Sequence, residues 1–149
     1  MNLLKFFVEH GADIHFDNDY PFITARIYGY LNIMKYLLEK GSNINAIDMD
    51  YNKTALNYAI DEGHFEIVKF LIEKGANIGD KIDLNIIRDK VRYSENEEEK
   101  QQYLDILLFL TKKLPKKFPI AQRKILSLVK DKNIYYKWER LCSSFGNKD

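Results

Sequence analysis

The stretch "GYLNIMKYLLEKGSNI", residues 29–44, returns thirty-four positions later as "GHFEIVKFLIEKGANI", residues 63–78. Nine of the sixteen aligned positions are identical, and most of the others exchange one apolar residue for another. In the first copy Ile33, Met34, Leu37 and Leu38 are apolar at helical spacing, and Ile67, Val68, Leu71 and Ile72 hold the same places in the second. Lys35, Glu39 and Lys40, with their counterparts Lys69, Glu73 and Lys74, give each helix a wet side. Gly41 and Gly75 follow the last turn, where glycine closes a helix in the left-handed conformation without a Cβ penalty.

A partial third copy, "LLKFFVEHGADI", occupies residues 3–14 with Gly11 as its cap. A second, shorter helix is expected ahead of each complete copy, "YPFITARIYG" from Tyr20 and "TALNYAIDEG" from Thr54. Pro21 suits the first helical position, which needs no amide hydrogen. The Thr54 hydroxyl can cap its own helix. Ala25 and Ala59 are small enough to let two helices approach, and Gly29 and Gly63 break the chain before the longer helix. The repeating unit is therefore short helix, tight turn, longer helix, loop.

This unit resembles the ankyrin repeat, which has a period near 33, two helices, a β-turn and a T-P-L-H-x-A signature. That signature reads "YPFITA" at residues 20–25 and "TALNYA" at 54–59, and the resemblance covers residues 1–82. The signature histidine is replaced by Ile23 and Asn57, so its cross-loop hydrogen bonds are expected to be missing. The loop "DIHFDNDYP" is short, which predicts a stunted first finger, whereas "NINAIDMDYNKT" is full length. Shortened "DNDYP" loops in a Lys-, Ile- and Asn-rich chain are similar to those of ankyrin proteins of giant amoebal viruses. The fold expected is all-α, an ankyrin-repeat solenoid of stacked helix-turn-helix units with a helical C-terminal cap. Its divisions are a half repeat at residues 1–15, repeats at 16–45 and 46–79, a degenerate helix pair at 80–114 and a basic helical cap at 115–149.

One repeat cannot bury its apolar face alone, so the ends of the stack need covering. Downstream, Leu84, Ile87 and Val91 give one helix an apolar stripe. "SENE" at 94–97 reads as a capping box opening a second helix, with Leu104, Leu107, Leu108 and Phe109 as its buried face. Upstream, Met1 falls just before an outer helix, so Leu3, Leu4, Phe6 and Phe7 should form an exposed apolar edge. Either the reading frame is a fragment of a longer gene, or that edge associates with another chain.

Composition narrows the function classes. The 149 residues are 46% hydrophobic and 30% charged, as in a globular chain. No apolar run is long enough to span a membrane, and no signal-peptide pattern opens the chain. One cysteine, Cys142, cannot form an intramolecular disulfide and suits a reducing, intracellular setting. The cytoplasm, of a host cell if the protein is viral, is the expected location. No glycine-rich phosphate loop is present, and His10, His15 and His64 lack metal-ligand spacing. No enzyme activity, metal or cofactor is expected.

What remains is binding. The resemblance implies a concave face made of loop fingers and the ends of the short inner helices. Carried onto this sequence, the finger residues are Phe16, Asp17 and Asn18, then Ile47, Met49, Asp50, Tyr51 and Asn52. The inner-helix ends are Ile27 with Tyr28, and Asp61 with Glu62. Such a patch, apolar and aromatic with an acidic rim, suits a protein partner, a host protein if the chain is viral; Ile27 and Ile47 can equally pack between repeats.

A second hypothesis uses the tail. Residues 1–110 carry 12 Lys and Arg against 19 Asp and Glu, while residues 111–141 carry 10 against two. Basic residues among Tyr135, Tyr136 and Trp138 could hold nucleic acid or another polyanion, although an amphipathic cap helix would bury the same aromatics. "LPKKFPIAQRKILSLV" at 114–129 resembles, in its Leu-Pro opening and "ILSL" run, the F-box-like segment that ends some viral ankyrin proteins and recruits host ubiquitin machinery. Its spacing is longer, and Pro119 interrupts the helix.

Overall fold

The computed structural model describes residues 2–26, 30–78, 82 and 84–113. The chain divides into two compact units, residues 1–83 and 84–149. The first contains α1 (Asn2–Glu9), α2 (Phe16–Thr24), α3 (Leu31–Glu39), β1 (Ile47–Asp48), β2 (Lys53–Thr54), α4 (Ala55–Asp61) and α5 (Phe65–Glu73). In the second, α6 (Leu84–Tyr93) packs on α7 (Glu97–Lys113).

The repeated helices end in the same way. The amide of Gly41 donates to Leu38 and that of Ser42 to Leu37, and the same paired bonds run from Gly11 and Ala12, from Gly63 and His64, and from Gly75 and Ala76. This is the Schellman closure, and each glycine in it has a positive φ, between 77° and 102°. At the other end of α4, Thr54 accepts from the Asn57 amide while its own amide donates to the Asn57 side chain, a reciprocal capping box.

The inward faces form one apolar core. Phe22 and Ile23 of α2, Met34 and Leu37 of α3, Leu56, Ala59 and Ile60 of α4, and Val68 and Leu71 of α5 are all buried. The stripe expected on the outer helices is fully buried in α5, whereas in α3 Ile33 and Leu38 stay half-exposed. On α1, Leu3, Phe6 and Phe7 are exposed, and Leu4 is intermediate.

Two expectations for the second unit need correcting. The buried stripe of α7 is Tyr103, Ile106, Leu107 and Leu110, with Leu104, Leu108 and Phe109 only half-buried. The run "ILLFL" at 106–110 is apolar without a break, so packing against α6, through Ile87 and Val91, chooses the face. The N-terminal cap of α7 is Asn96, whose side chain accepts from the amides of Glu98 and Glu99. Ser94 instead donates to the Glu99 carboxylate at 2.6 Å. Lys90 reaches the same carboxylate at 2.9 Å, tying α6 to α7. Ser94 first and Lys90 second hold the Glu99 carboxyl below its usual range.

Candidate interaction face on the fingers and inner helix

The long finger is a hairpin in which Ile47 pairs with Thr54 and Asp48 with Lys53. Asp48 organises its tip: one carboxylate oxygen accepts from the amides of Asp50 and Tyr51. Asn52 turns the chain back at a φ of 53°, a conformation asparagine tolerates. Met49 and Tyr51 project from this tip, 76% and 71% exposed. Asp50 and Asn52 are exposed beside them, and Ile47 is half-buried at the base.

The short finger is built differently. Asp17, Asn18 and Asp19 are three consecutive residues in the left-handed region. That conformation costs ordinary residues about 1–2 kcal/mol each, and less for Asp and Asn. Side-chain bonds offset it. Asn18 donates to the Ile47 carbonyl at 2.7 Å, so the two fingers are joined. Asp19 is buried, meets the His15 ring at 2.8 Å and accepts from the Asn43 amide at 3.2 Å. Phe16 is 65% exposed, and Asp17 is exposed next to it. Right-handed helix begins only near Pro21, whose carbonyl accepts from the Ala25 amide.

Loops of neighbouring repeats are therefore tied despite the missing signature histidine. Asp19 reaches Asn43, and Asn45 accepts from the Asn77 amide at 2.8 Å, 32 residues away.

Behind the fingers lies a polar cluster on α4. The Tyr58 hydroxyl donates to the second oxygen of Asp48 at 2.8 Å. The Arg26 guanidinium lies 3.3 Å from the Tyr58 ring centre and pairs with Glu62, and the Lys53 ammonium is 5.4 Å from the same ring and pairs with Asp61 at 2.7 Å. Burial, then the Asp48 hydrogen bond, pushes the Tyr58 phenol up to about 12. The same bond holds the Asp48 carboxyl below its ordinary range.

Of the residues expected on this face, Phe16, Asp17, Asn18, Ile47, Met49, Asp50, Tyr51 and Asn52 lie on two joined fingers. Asp61 and Glu62 do not form a free acidic rim, because Lys53 and Arg26 neutralise them. Ile27 and Tyr28 lie outside the described residues, as does the basic tail from residue 114 onward with its Leu-Pro segment; only its first residues, 111–113, are seen, in the last turn of α7. Sequence reasoning missed Asp19, Arg26, Asp48 and Tyr58. One signal was present: Arg26 is the sole arginine before residue 84 in a lysine-rich chain, and planar stacking with fork-like pairing is what arginine does and lysine does not.

Among the described residues, no group of His, Cys, Asp or Glu is placed to hold a metal ion, and no helix is long and apolar enough to cross a membrane. Residues 1–82 match the family described as "Ankyrin repeats (3 copies)". The chain is also similar to an ankyrin repeat protein of Acanthamoeba polyphaga mimivirus, 44% identical over 50 residues. That stretch is 34% of this chain and 38% of the viral protein's length.

Proposed function

The chain belongs to the ankyrin-repeat family, and on that premise we propose that it binds a protein partner on the face made by its two fingers and its inner helices, without catalysing a reaction. Ankyrin repeats are generally protein-interaction modules, and folds of this kind take their specificity from variable surface positions. The observation that carries the reading is the long finger, where Met49 and Tyr51 stand in solvent on a hairpin fixed by Asp48 and Tyr58. Large apolar side chains on a rigid support lose little entropy on docking and make good anchors. Residues 16–45 and 46–79 act in this reading as the two repeats that carry the face, and the partner is an intracellular protein, of the host if the chain is viral.

The test is capture from a cell lysate with the full chain, a Met49→Ser/Tyr51→Ser variant and a chain lacking residues 111–149. Partners should be lost with the fingertip variant and retained without the tail. Partners that depend on the tail alone would overturn the assignment to the finger face.

A further inference from the structure

The charges around the fingers point to a partner class. The cations beside the face are already matched, Arg26 by Glu62 and Lys53 by Asp61. Asp17 and Asp50 are exposed and make no ion pair among the described residues. They flank Phe16, Met49 and Tyr51, and the Asn18 bond to Ile47 holds their two fingers together. The face therefore presents apolar prongs with uncompensated negative charge beside them. A partner that covered the prongs with acidic residues would place like charges together. One with lysine or arginine between its apolar side chains would neutralise both aspartates while filling the space around Met49 and Tyr51.

Resting on the reading that this face binds a protein, we propose that its partner is a basic segment whose lysines or arginines alternate with apolar side chains. Asp17 and Asp50 meet its cations, and Phe16, Met49 and Tyr51 meet its apolar groups. Because the aspartates sit at the solvent edge, they act mainly on partner choice and on the rate of encounter, and their effect fades with salt.

The experiment is selection of random linear peptides displayed on phage against the full chain, followed by fluorescence-anisotropy titration of the enriched peptides at low and physiological ionic strength. The expected peptides combine Lys or Arg with aliphatic or aromatic residues. Asp17→Asn/Asp50→Asn should weaken them roughly five- to tenfold at low salt and flatten their salt dependence. Asparagine tolerates the left-handed backbone at position 17, so the fold is kept. Met49→Ser/Tyr51→Ser should weaken them at least about tenfold. Enrichment of neutral or acidic peptides that still need Met49 and Tyr51 overturns the basic-partner inference and leaves the interaction face standing. Failure to enrich any peptide that depends on Met49 or Tyr51 overturns both.

Discussion

The Tyr58 hydroxyl and the Asp48 carboxylate are 2.8 Å apart, joining the inner helix α4 to the fingertip hairpin. Asp48 spends its other oxygen on the amides of Asp50 and Tyr51, so one side chain holds both the shape of the tip and its attachment. Tyr58→Phe removes the attachment and keeps the ring under Arg26. Its expected cost is about 1.5–3 kcal/mol, the range for a hydrogen bond to a charged group, read from urea unfolding.

The same substitution has a pH signature. The folded phenol is raised to about 12 from an ordinary 10.0, so the folded state holds its proton more tightly than the unfolded chain. Its contribution is complete below pH 10 and is lost as pH rises toward 12, roughly 2 kcal/mol in all. The difference in stability between wild type and Tyr58→Phe should therefore shrink across that range; a difference constant with pH would contradict it. For Asp48 the sign is opposite, since its carboxyl is depressed mainly by the Tyr58 bond. That contribution is present above the ordinary carboxylate value of 3.8 and disappears as pH falls through the lower folded value.

Arg26 is buried against Tyr58, with Glu62 about one-third exposed. Arg26→Ala strips packing from the ring and leaves the partly hydrated Glu62 with only the His64 ring, 3.7 Å away, among the described residues, for about 1.5–3 kcal/mol. Arg26→Lys should recover little of this, since an ammonium neither stacks flat nor forks. Midpoint shifts in urea at unchanged slope are the measurement, and full recovery by lysine would disprove the stacking role.

Gly75 has a φ of +93°, and a Cβ built there meets nothing within 4 Å. Strain without collision predicts that Gly75→Ala costs about 1–2 kcal/mol and Gly75→Asn less, because asparagine visits the left-handed region. Equal melting losses for both would indicate a packing defect instead.

Asp19, itself buried, accepts from the Asn43 amide of the next loop and contacts His15. Asp19→Ala should destabilise by about 0.5–1.5 kcal/mol through loss of the Asn43 bond, and hydrogen exchange at Asn43 should rise more than at Asn77, whose amide is held by Asn45.

The helices, their glycine closures and the Thr54 cap were legible in the sequence because each depends on neighbours a few residues away. Period 3.6 and a glycine at each helix end suffice to mark them. Residues that work across the fold were not legible. Arg26 and Glu62 are 36 positions apart, and nothing local couples them. The buried side of α7 was unreadable for another reason: five consecutive apolar residues, 106–110, mark no face of their own until a neighbour supplies one. The fingers were readable as loops of unequal length, but the joining of the two by Asn18 and Ile47 depends on a left-handed backbone at residues with a Cβ, which no spacing rule reports.

That left-handed turn has a consequence for register. A stack of identical units has translational symmetry, and a ligand that fits one step fits the next equally well. Here one finger is a tight coil of three residues and the other a projecting hairpin. The symmetry is broken at the surface while it survives in the core, so a guest lying along this face would have a single landing position, with no equivalent site one repeat away.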